Sequence, residues 1–123
     1  MIKLVRLDYR LLHGQVVFSW TGHVGAQRII VVDDDAANDE MKKSALLLSK
    51  PAGVRVNIFT VDKAIAKMPK VEQLDEKIMM IFGNTAALLK FCQAYPKIKE
   101  INYGAVANKP GSVAFDQSVF LTL

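Results

Sequence analysis

A single cysteine, four prolines and seven glycines in 123 residues exclude several architectures at once. With Cys92 alone, no disulfide forms within the chain, and the small cross-linked secreted scaffolds are ruled out. Sparse Gly and Pro without a low-complexity run exclude collagen-like, linker-like and disordered chains. Apolar stretches of membrane-spanning length are missing too, and the opening "MIKLVRLDYR" is too short and too interrupted by charge for a signal peptide, so the chain is expected to be cytoplasmic. Nor is there a block of like charge. The formal net charge of +4 is spread along the chain, a weak bias toward acidic or phosphorylated partners. The aromatic residues Phe18, Trp20, Phe59, Phe82 and Phe91 sit in apolar runs, not interleaved with Lys or Arg, which argues against a nucleic-acid-binding module.

What is present is hydrophobic pattern. Half of the residues are apolar (51%), enough for the core of one domain spanning residues 1–123. Six segments carry the marks of strands: Ile2–Asp8, Arg28–Asp33, Val54–Thr60, Lys77–Phe82, "EINYG" and "SVFLTL". The continuous runs Ile29–Val32 and Ile78–Phe82 require cover on both faces, as in a parallel sheet between helices. Helical patterns lie between them. "NDEMKKSALLLSK" opens with the cap candidates Asn38 and Asp39 and stops at Pro51 and Gly53. "VDKAIAKMP" is expected to close at Pro69, and "NTAALLKFCQAYP" to run from an Asn84 cap to Pro96, with Cys92 packing inward as a small hydrophobe. "GQVVFSWTGHV" has β-branched residues, yet a right-handed crossover between parallel strands needs a helix there, with Phe18 and Trp20 packing on the sheet. Gly22–Gly25 is read as a turn. The result is an α/β fold, a three-layer α/β/α domain with a mostly parallel sheet and its binding site at the carboxyl ends of the strands.

The loop leaving the first strand, "DYRLLHGQ", concentrates the chemistry. A helix start offers unpaired N–H groups and a partial positive charge to a phosphate, and Gly14 allows close backbone approach. Imidazole alone titrates near neutrality, so His13 has the chemistry to attack a phosphoryl group. Arg10 suits neutralisation of the charge spread over the equatorial oxygens. Asp8 either accepts a hydrogen bond from the imidazole and fixes its tautomer, or holds Arg10; Gln15 adds a neutral donor at the helix start. Leu11 and Leu12 are anchors of the loop. Other polar clusters carry less. His23 is structural, Asp33–Asp35 is a strand-end cap or Arg partner rather than a metal cluster, and Asn108–Ser112 is a polar loop beside the site. Neither a cofactor nor a metal is expected.

The segments "VRLDYRLLHGQVVFSWT", "RIIVVDDDAANDEMKK" and "INYGAVANKPGS" resemble the EIIB subunit of the mannose/sorbose class of the bacterial phosphoenolpyruvate-dependent sugar phosphotransferase system, over essentially the whole chain. The motif Asp-x-Arg-Leu-x-His-Gly-Gln after a strand is the specific part. The resemblance implies a phosphocarrier that takes a phosphoryl group from an EIIA partner onto Nδ1 of His13 and delivers it to a sugar held by the membrane subunits EIIC and EIID, with which it associates peripherally. It also implies a mixed sheet with the first strand central, and phosphate-loop roles for Arg10, Gly14 and Gln15, with Asp8 as the loop's acidic residue. Members commonly continue past the strand that "SVFLTL" represents, so a chain short at its C-terminus is expected to self-associate through an uncovered face or edge, as a homo-oligomer. A receiver-like phospho-switch is the alternative, on "IIVVDDD" and "NKPG". Receivers, however, need the acidic pair after the first strand and an acceptor Asp after the third, whereas here the first strand leads to His13.

Overall fold

Ile29–Val32 and Ile78–Phe82 are each fully buried, and the rest of the fold is arranged around them. The computed structural model describes residues 1–12, 15–98, 100–103 and 119–122. Six strands form one sheet: β1 (Ile2–Leu7), β2 (Arg28–Val32), β3 (Arg55–Phe59), β4 (Ile78–Phe82), β5 (Glu100–Tyr103) and β6 (Val119–Thr122). Their order is β3-β2-β4-β1-β5-β6. The first five are parallel and β6 pairs antiparallel with β5, so the sheet is mixed and β1 lies inside it.

Alternation along the strands sends side chains to two separate cores. Val5, Leu7, Ile30, Val32, Met80 and Phe82 meet α4 (Val61–Val71) and α5 (Thr85–Ala94) on one face. Leu4, Ile29, Val31, Met79 and Ile81 lie on the other, with Trp20 of α1 (Gln15–Val24), Ala36 of α2 (Asp34–Asn38) and Leu46 of α3 (Glu40–Leu48). The molecule is therefore an α/β/α three-layer domain. Cys92 is half-buried against the first core, and burial pushes its thiol pKa up.

Local signals explain most helix ends. Asp39 accepts from the amides of Met41 and Lys42, Thr60 from Lys63, and Asn84 from Ala87. Three sequence expectations differ. The helix expected to stop at Pro69 continues to Val71, because Met68 and Val71 are both buried and the helix must run on to seat them. The short helix α2, capped by Asp33, precedes α3 unannounced by any apolar periodicity in five residues. Gly22–Val24 lie within α1, and the turn is narrower. Gly25 takes φ +67°, and the amides of Gly25 and Ala26 donate to the carbonyls of Gly22 and Thr21, closing the helix end in the manner glycine permits.

Candidate functional site

Three carboxyl ends of parallel strands meet at one place. β1 ends at Leu7, and the amide of Asp8 still donates to the carbonyl of Phe82 on β4 at 2.9 Å, so Asp8 sits as fixed as a strand residue. From there the chain turns at once. The Leu11 amide donates back to the Asp8 carbonyl at 3.1 Å, and Leu11 adopts φ +56°, a left-handed conformation rare for leucine. Leu11 and Leu12 are both buried, which anchors the turn and holds that strain in place. The β4 end contributes Gly83. A methyl group there would overlap the Asp33 carboxylate and lie 3.2 Å from Leu11, so only glycine lets the ends of β2, β4 and the β1 loop approach so closely.

Within this frame Asp8 is completely buried and holds two guanidinium groups. Arg10 Nε donates to Oδ1 and Arg10 NH2 to Oδ2, both at 3.1 Å, and the Arg10 amide adds a third bond to Oδ1 at 3.0 Å. Arg6 NH2 reaches Oδ2 at 3.3 Å. Among the described residues, then, Asp8 holds Arg10 and Arg6. Both of its oxygens are engaged by the two arginines. Fork-on-fork pairing fixes the Arg10 plane, and the hydrogen bond to Asp8 raises its pKa further. Arg10 remains about one-third exposed (36%), so a guanidinium fixed on one edge still faces solvent on another.

Arg6 was not among the residues the sequence singled out, yet it lies beneath this pair. Its side chain is 1% exposed, and burial lowers its pKa while Asp8 raises it. Arg6 is the register partner of Asn102 on β5, and its NH1 donates to Asn102 Oδ1. Its guanidinium carbon lies 5.9 Å from the centre of the Trp20 ring. The available signal was period-two alternation: Arg6 and Asp8 share the face of β1 that Leu4 also uses. Asn102 had no signal, since nothing local marks an inward-facing amide in a four-residue strand. Two guanidinium groups against one carboxylate leave a net positive charge at the head of the loop.

That loop leads to α1, whose first residue is Gln15. His13 and Gly14 lie outside the described residues, as do Asn108–Ser112. The remaining polar candidates are accounted for. Asp33 caps α2, Asp34 Oδ1 accepts from the Val61 amide at 2.8 Å, and Asp35 pairs with Lys42. Among the described residues no His, Cys, Asp and Glu group is arranged to hold a metal ion. His23 is exposed at the end of α1, edge-on to Trp20 at 5.6 Å.

Residues 2–122 match the family described as "PTS system sorbose subfamily IIB component". The chain belongs to this family. It is a IIB subunit of a phosphotransferase-system sugar transporter. This IIB chain is 35% identical over 120 residues to the sorbose-specific EIIB component of Klebsiella pneumoniae, covering 98% of the chain and 73% of that protein. It is 33% identical over 119 residues to the mannose-specific EIIAB component of Escherichia coli K12, covering 97% of the chain and 37% of that longer protein. The solved structure of manxB from Thermoanaerobacter tengcongensis superposes with a TM-score of 0.85 at 32% identity, over 99% of this IIB chain and 74% of manxB. The fold expected for the IIB family, mixed and with β1 inside the sheet, is the fold observed. No helix among the described residues is long and apolar enough to cross a membrane.

Proposed function

We propose that this IIB chain acts as one phosphocarrier domain in which His13 receives a phosphoryl group from an EIIA partner and passes it to a sugar presented by the membrane subunits EIIC and EIID. The observation that carries the reading is the Asp8–Arg10 fork at the carboxyl end of β1, directly ahead of the loop that contains His13. A phosphoryl group in transfer spreads negative charge over three oxygens, and the protein's part is mainly positioning and neutralisation. Arg10, held by Asp8, supplies a fixed cation for those oxygens without a change of shape during transfer. Gly14 and Gln15 supply close backbone approach and amide donors at the start of α1. Because Asp8 is engaged by two arginines, the imidazole tautomer falls to Gln15 or to backbone groups of the loop. The step needs no cofactor. The bond from phosphorus to the donor histidine breaks as the bond to Nδ1 of His13 forms, and the sugar hydroxyl later takes the group. The fusion named in the mannose-specific EIIAB relative supports an EIIA donor.

Incubation with phosphoenolpyruvate, the general phosphotransferase proteins and the cognate EIIA is expected to label the chain with an acid-labile, alkali-stable phosphate. His13→Ala is expected to take up none. Equal labelling of that variant overturns the assignment. Arg10→Ala is expected to slow transfer by on the order of a hundredfold, the scale for loss of one charge-stabilising donor.

A further inference from the structure

Away from the loop, on the α4 and α5 face, a groove of about 380 Å³ runs between α4 and the outer strands of the sheet. Its walls are basic. Lys63, Lys67 and Lys70 of α4 and Arg28 of β2 line it, whereas its floor is made by Ile30, Phe59 and Val71. The lysine spacing of four and three residues keeps all three within about 60° of arc on one helix face at about 100° per residue. Lys63 Nζ lies 5.4 Å from the centre of the Phe59 ring, which ties the lysine row to the apolar floor. Among the described residues none of the three lysines is in an ion pair, and no carboxylate lines the groove; Arg28 is paired with Glu76, which Arg55 also approaches. The groove also borders β3, which among the described residues is an edge strand paired on one side only.

From this we infer that the groove docks an acidic, amphipathic polypeptide segment of another protein, laid along β3 with its apolar side chains on the partly buried Phe59 and Leu74 and its carboxylates on the lysine row. Charge decides the occupant. A second copy of this chain would bring its own lysine row against the first, so the same surface that attracts an acidic segment repels self-pairing along β3. A bilayer surface is flat and does not reach an apolar floor set between a helix and a sheet, whereas an extended segment does. The site is separate from the Asp8–Arg10 fork, and this inference does not depend on phosphoryl transfer.

The test uses the full chain and a short fluorescent peptide alternating Glu and Leu, followed by anisotropy at low and at physiological salt. Saturable binding that weakens with salt is expected, and the triple variant K63E/K67E/K70E is expected to weaken it at least about tenfold, the scale for three exposed ion pairs lost and reversed. K42E/K43E on α3, at the opposite face, is expected to leave binding within about twofold. Circular dichroism checks that both variants are folded. Absence of peptide binding by wild type overturns the inference, as does equal weakening by the two variants. It is also overturned if phosphatidylserine vesicles or single-stranded oligonucleotide bind with the same charge-reversal sensitivity while the peptide does not.

Discussion

Asp8 decides the candidate site at the scale of single residues. A carboxylate with no exposure is stable only because Arg6 and Arg10 satisfy it, and the relation is mutual, since the buried Arg6 has Asp8 as its anionic partner. Removing one partner of a buried pair leaves an uncompensated charge, which costs far more than the pair contributes. Asp8→Asn is therefore expected to lower unfolding free energy by about 3 kcal/mol in urea denaturation. Arg10→Ala, by contrast, is expected to cost under about 1 kcal/mol, because Arg10 is partly solvated and Arg6 still neutralises Asp8. If the two variants were equally destabilised, Arg10 would be a structural rather than a charge-presenting partner. The "D-x-R" pattern was legible because both residues belong to one short motif. Arg6 was legible only in hindsight from alternation, and Asn102 not at all, since its partner lies 96 positions away.

Secondary-structure elements were most readable where a side chain acts on its own backbone. The expected caps Asp39 and Asn84 stand where short-range hydrogen bonding places them, whereas the other candidate, Asn38, ends α2, and Thr60, read as a strand end, caps α4. Asn84→Ala is expected to cost about 1 kcal/mol in thermal or urea unfolding, the usual value of an N-cap, without disturbing the loop at the head of α1. Pro69 marks the limit of such reading. Its missing N–H removes one helical bond, but burial of Met68 and Val71 outweighs that loss and the helix continues. Gly83 belongs to the same lesson. Its need for glycine comes from Asp33 and Leu11, on two other elements, and not from its own backbone angles.

At the scale of the whole molecule, long-range contacts also set titration. Tyr95 packs on Phe91 and donates its hydroxyl to Glu72, and burial together with that bond pushes its pKa from 10.0 to about 12. A raised folded-state pKa means that neutral Tyr95 stabilises the fold below the unfolded value and that this contribution is lost as pH climbs from 10 towards about 12. Wild type is thus expected to lose more stability across that window than Tyr95→Phe, with the difference read from urea midpoints; parallel loss in both would show that the fold does not hold Tyr95 neutral. The sequence alone determined the class of fold, since continuous apolar strands must be covered on both faces, and it supplied the place proposed for the chemistry, since the loop motif is local. Only the tertiary structure decided that Asp8 holds Arg10, that an arginine lies buried beneath it, and that a lysine row lines a groove with residues of β2 and β3. Each of those depends on which strands become neighbours, and strand order is set by packing across the whole sheet rather than by any local stretch of chain.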